Sequence, residues 1–190
     1  MSEQTDARQR LREKTPVSEQ TSSDDLTAIP VERIVRDVRR CVEENISVAG
    51  LALALTIPDI LGAQCFPDMT YRDGDRRIGA QYERWFDKYV AREFVDRAHW
   101  LTGETCYDLR CEMLHAGDGN IRYHHHEDRG VKYRYSFELV DDGEQSHTER
   151  ALDGGRVREC RVRLNADMLA SAICDGAERC LAETGESESA

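Results

Sequence analysis

Residues 102–117 read TGETCYDLRCEMLHAG. This run predicts a short helix from Gly103 to Ala116, with Thr102 as its N-cap and Gly117 as its C-terminal stop. At about 100° per residue, Cys106, Tyr107, Met113 and Leu114 fall within roughly 60° of Arg110, while Asp108 and Glu112 sit opposite. Arg110 therefore projects from the middle of an apolar face. A guanidinium there has to find a carboxylate, carbonyls or a polar cleft, because burying it unpaired is costly. Glu44, Asp59, Glu83 and Asp87, on other helices, are the candidate partners for an ion pair. His115 follows five residues later, about 140° around a regular helix, so the two do not share a face if the helix stays regular. His115 is also within a turn of the stop at Gly117, where the backbone often tightens or unwinds. It lies at the negative end of the helix dipole, which favours a protonated imidazole, and such a group can serve as a general acid or base near neutral pH.

Working outward, residues 1–28 are rich in Ser, Thr, Gln, Glu and Asp and read as a disordered arm. Val31, Ile34, Val35, Val38, Cys41 and Val42 recur at helical spacing after Pro30. Asn45 to Ala63 continues helical and is apolar nearly all round, the pattern of a central core helix, with Pro58 expected to kink or break it. Residues 65–75 read as a loop, and a further helix is predicted from about Arg77 to Ala98, with Tyr82, Trp85, Phe86 and Tyr89 in its stripe. After Gly117 the period changes. Tyr133, Tyr135, Phe137 and Leu139 alternate with polar residues, as do Arg158, Cys160, Val162 and Leu164. These two strands are expected to pair as an antiparallel hairpin across a long polar loop, Asp141–Gly155. A last helix runs from about Ala166 to Ala182, and residues 184–190 read as a disordered acidic tail. The fold class is mainly α: a helical bundle with a small antiparallel β-hairpin, inserted at about 122–164, before the C-terminal helix.

The Leu109-Arg110-Cys-Glu-Met-Leu114-His115-Ala-Gly117 run resembles the signature of the HEPN superfamily, an Arg followed by four to six residues and a His on a helix. Residues 29–183 would then form a single helical domain of that kind. Many HEPN domains are homodimeric, metal-independent ribonucleases in which Arg and His of two protomers meet in one cleft. The resemblance implies Arg110 on the phosphate and His115 as acid/base, acting on RNA by 2′-hydroxyl attack without a cofactor. Glu104 or Asp108, one or two turns earlier on the helix, is the candidate to orient them, and Cys111 stands at the position after the Arg as a further supporting candidate. The resemblance also implies the settings in which such proteins occur, a toxin with its antitoxin or an antiphage effector. Non-catalytic members that bind a partner protein or a nucleotide satisfy the same pattern. Arg92 and His99 also fit the spacing but lack the Leu and Gly context.

Composition narrows the remaining classes. The chain has 190 residues and a formal net charge of −11, which argues against a protein that coats nucleic acid along its whole surface. No apolar core follows the N-terminal charges in MSEQTDARQRLREKT, so no secretory signal is read and a cytoplasmic location is expected. The most apolar stretch, Ile46 to Ile57, is too short to span a bilayer. Seven cysteines without C-x-x-C spacing suggest free thiols in a reducing compartment. His124, His125 and His126 are adjacent, whereas zinc ligands are usually spaced two to five residues apart, so no metal site is assigned. A polar turn is expected there instead. Arg129, Lys132 and Arg134 form a basic cluster beside Tyr133 and Tyr135, read as a solvated sheet edge. Arg72, Arg76 and Arg77 form another, largely cancelled by Asp73 and Asp75.

Overall fold

A computed structural model of the chain describes residues 29–94, 101–116, 124–128, 130–140 and 146–187. The arm, residues 1–28, and His99 lie outside the described residues. The protein is mostly helical, with a small mixed sheet before the C-terminal helix. The helices are α1 Val31–Glu43, α2 Ser47–Ala54, α3 Ile57–Cys65, α4 Ile78–Tyr89, α5 Gly103–Cys111 and α6 Ala166–Ser187. The strands are β1 His124–Asp128, β2 Val131–Val140, β3 Ser146–Leu152 and β4 Val157–Asn165.

The α1 stripe buries Val31, Ile34, Val35 and Val38, as its spacing requires. The next apolar run is two helices, broken at Leu55–Thr56 rather than at the proline. Pro58 occupies the first turn of α3, where its missing N–H leaves no hydrogen bond unmade. Because the proline does not end the run, the apolar helical stretch continues past Ile57. Ser47–Cys65 is, among the described residues, the one segment long and apolar enough by length and composition to cross a membrane, with mean hydropathy 1.6. In this fold its Leu51, Ala54, Leu55 and Ile57 are fully buried in the protein's own core. The expectation of a central, all-round buried helix fails for α2. It packs mainly on α1 and α6, and Val48 stays 65% exposed on the open side.

The central element is α6, which packs on α1, α2, α3 and α4 through Leu169, Ile173, Cys174, Ala177 and Cys180. It extends past Ala182 into the segment read as a disordered tail and reaches Ser187, and within it the Thr184 hydroxyl donates to the Cys180 and Leu181 carbonyls. α4 supplies the largest core side chains, Tyr82, Trp85 and Phe86, none of them exposed. It stops at Tyr89, short of the expected Ala98, and gives way to a 3₁₀ turn at Ala91–Phe94.

The strand faces agree with the alternation, but the pairing does not. The two strands expected as a hairpin, β2 and β4, are parallel neighbours in the order β1-β2-β4-β3. The antiparallel partner of β4 is β3, formed by residues that read as a polar loop. The His run is β1, antiparallel to β2, where a turn was expected. Alternation specifies which side chains face inward and is blind to strand direction. Tyr135, Phe137, Cys160, Val162 and Leu164 form the inner face, and Lys132, Arg134, Arg161 and Arg163 are exposed on the outer one. Tyr133 and Tyr135 stack with ring centres 6.1 Å apart, on the opposite face of β2 from Lys132 and Arg134.

Two glycines let α3 and α5 approach α4 closely. A Cβ on Gly62 would fall 2.8 Å from the Gln81 carbonyl oxygen, and one on Gly103 would fall 2.2 Å from that of Glu83. α3 and α5 therefore touch α4 backbone to backbone. Gly103→Ala is expected to cost about 1–3 kcal/mol, read as a fall of roughly 3–10 °C in the thermal midpoint.

Candidate active site

The N-terminus of α5 is anchored as the sequence predicts. The Thr102 hydroxyl accepts from the Thr105 N–H, and the Thr105 hydroxyl accepts from the Thr102 N–H, closing a capping box. The Asp87 carboxylate accepts from the Gly103 N–H at 2.7 Å, suited to the positive end of the helix. Cys106, Leu109 and Met113 are buried, so Arg110 starts from the core-facing side.

The partner of Arg110 is Asp59, on α3. Nε and Nη2 of the guanidinium both donate to Asp59 Oδ2, at 3.0 and 2.8 Å. The two side chains are 21% and 19% exposed, so the pair is largely desolvated. Burial works to lower the Arg110 pKa, but the Asp59 carboxylate more than offsets it, and the net shift is upward. The guanidinium is a permanent cation. The other Asp59 oxygen, Oδ1, is buried with no hydrogen-bond partner among the described residues. Below the pair lies Tyr82, fully buried, its hydroxyl 3.4 Å from Cys106 Sγ. Burial, together with Cys106 and Asp59, pushes its phenol well above the ordinary range.

His115 joins the same cluster because the helix changes pitch. After Cys111 the backbone becomes a π-helix, Glu112–Ala116, in which residues five apart come into line. Arg110 Nη1 lies 3.0 Å from His115 Nε2. A guanidinium can only donate, so in this contact Nε2 is the acceptor. The regular-helix angle of about 140° is thus overturned by the pitch of the π turn. The same turn leaves Leu114, expected on the apolar face, 37% exposed.

Burial, then Glu104, Asp87 and Asp108, raise the pKa of Glu83, which places Glu104 and Asp108 in an acidic group along the α4–α5 contact. Cys111 is half-buried beside Arg110 and Tyr107. Asp59 and Arg76 are the residues that spacing alone did not single out. Asp59 was one of four carboxylates of equal standing. Arg76, in the loop before α4, reaches the Gln81 side chain at 3.0 Å and the Asp59 carbonyl at 3.3 Å, which sets a second guanidinium next to the pair. No signal in the sequence distinguishes it from Arg72 or Arg77. Among the described residues no three His, Cys, Asp or Glu side chains converge on a point that could hold a metal ion.

No family model matches the chain, and neither a curated protein nor a solved structure shows significant similarity to it.

Two outcomes follow from these electrostatics. Arg110→Ala and Asp59→Ala should each cost about 2–3 kcal/mol. The double variant should fall short of their sum by about 1–2 kcal/mol, measured by denaturant unfolding. Glu83 keeps its proton to higher pH folded than unfolded, so its contribution to stability is lost as pH rises through the raised value. Glu83→Gln should therefore stabilise the protein at about pH 7 and have little effect below about pH 4.

Proposed function

We propose that the chain is a HEPN-like, metal-independent endoribonuclease, and the observation that carries this reading is the 3.0 Å contact between Arg110 and His115 made through the π turn. Nε and Nη2 of Arg110 hold Asp59, and Nη1 holds His115. A phosphodiester takes the remaining outward N–H groups and draws Nη1 away from the imidazole. His115 Nε2 is then free to accept the proton of the ribose 2′-hydroxyl. The 2′-oxygen attacks phosphorus and the 5′-oxygen leaves with a proton from a second acid. A homodimer supplies that acid as the partner protomer's imidazole. The products are a 2′,3′-cyclic phosphate and a 5′-hydroxyl. Arg110 stabilises the charge that builds on the phosphoryl oxygens, and Asp59 keeps the guanidinium aimed. The helical bundle around the pair is the HEPN-like part of the domain in this reading, and the sheet is an insertion. A toxin or defence role, with an antitoxin as partner, and a cytoplasmic setting rest on the resemblance alone.

A second reading has one observation in its favour. The pairing of Asp59 with both Nε and Nη2 is also what a purely structural ion pair looks like, and it suits a non-catalytic module that binds a partner protein or nucleotide.

The test uses purified wild type and His115→Ala with a mixed RNA pool in EDTA, with product ends analysed for cyclic phosphate. Wild type should cleave, and His115→Ala should lose at least about 100-fold of the rate while keeping its thermal midpoint, because an exposed His is replaced. Equal cleavage by both proteins, or none by wild type, shifts the assignment to the binding module.

A further inference from the structure

At the C-terminal end of α3, its last residue brings a thiol against α6. Cys65 Sγ lies 3.1 Å from Cys180 Sγ, although the two residues are 115 positions apart in the chain. Cys180 is fully buried and Cys65 is partly accessible. The Trp85 indole N–H donates to Cys180 Sγ at 3.3 Å, which fixes that sulfur in place. Lys88, Tyr89 and Glu183 form a hydrogen-bonded group beside the pair, with Lys88 Nζ and the Tyr89 hydroxyl each 2.9 Å from the Glu183 carboxylate. A disulfide has a bond of about 2.05 Å, so closing the gap asks the sulfurs to move by about 1 Å.

We infer that Cys65 and Cys180 are an oxidation site, a latent cross-link that a peroxide closes between α3 and α6. The Cys65 thiol, the accessible one, attacks the peroxide. The O–O bond breaks, water leaves and Cys65 becomes a sulfenic acid. The Cys180 sulfur displaces the hydroxyl, a second water leaves and the S–S bond forms. Two thiols lose two protons and two electrons, and one hydrogen peroxide takes them up to become two waters. Burial and Cys180 push the Cys65 thiol up to about 12, with Lys88 pulling down and Glu183 pushing up. The attacking species is the thiolate, so closure is slow at neutral pH and accelerates as pH rises. Once formed, the bond ties together the ends of a long loop and pins the helix that carries Asp59 to the central helix. This inference stands apart from the ribonuclease reading and holds whichever of the two functional readings is right.

The test takes the full chain, reduced with a phosphine and freed of it, and exposes it to hydrogen peroxide. The expected result is a mass lower by two hydrogens and a Cys65–Cys180 peptide pair on digestion without reductant. The thermal midpoint should rise by about 5–15 °C and return on adding dithiothreitol. Cys41→Ser should behave as wild type, and Cys65→Ser should show neither the linked peptide nor the rise. Peptide mapping of the wild type reads the linkage even if a variant folds poorly. Both thiols remaining alkylatable, Cys65 progressing to sulfinic acid without a link, or linkage between chains instead would each overturn the proposal.

Discussion

An arginine aimed at the core is tolerable only if a carboxylate comes to meet it, and in this protein that requirement organises the helices. Arg110 leaves α5 on the side that also buries Cys106 and Leu109. Its charge cannot be shed, so an unpaired guanidinium there would cost several kcal/mol by any ordinary estimate of buried charge. Asp59 meets it from α3, across α4. That meeting needs α3 and α5 to approach α4 closely, and Gly62 and Gly103 are where the backbone leaves room. The ion pair and the two glycines are therefore one arrangement viewed from its charge and from its sterics.

The pitch change after Cys111 converts that structural arrangement into one with chemical potential. In a regular α-helix the residue five positions after Arg110 would point away from it. Over Glu112–Ala116 the wider turn brings His115 alongside and rotates Leu114 into solvent. Exposing a leucine and widening a helix both run against stability, and such turns recur where a helix carries function. The Asp59 oxygen left without a partner is a third unfavourable feature in the same few ångströms. Three local departures from the stablest arrangement, clustered around one Arg–His contact, are what makes this region the best candidate for chemistry in the chain.

Glu83, Asp87, Glu104 and Asp108 gather along the contact of α4 with α5. Glu104 and Asp108 are on the same helix as Arg110 and close to it in sequence, which made them natural supports. They also face Glu83, whose pKa is raised by burial first and then by Glu104, Asp87 and Asp108. The carboxylate that matters arrives from about fifty residues upstream. Helix periodicity describes one helix at a time, and a contact between helices depends on how they cross.

Much of the molecule is legible in the amino-acid order because it depends on local periodicity. The α1 stripe, the capped start of α5, the Tyr82–Tyr89 face and the inward set of both long strands follow from side-chain spacing and from Thr102. The Arg110–His115 pair was legible as residue types in a motif. Its geometry was not, since the tightening or widening of a last turn is decided by what packs around it. The parallel pairing of β2 with β4, the strand hidden in the polar segment 146–152, and the continuation of α6 to Ser187 were likewise settled in three dimensions. Alternation carries no direction, a polar strand carries little alternation, and a helix end depends on its last hydrogen bonds. The choice of Asp59 among four carboxylates, and the approach of Cys65 to Cys180, belong to the same class. Each joins residues far apart in the chain, and only the packing of whole helices determines which of them meet.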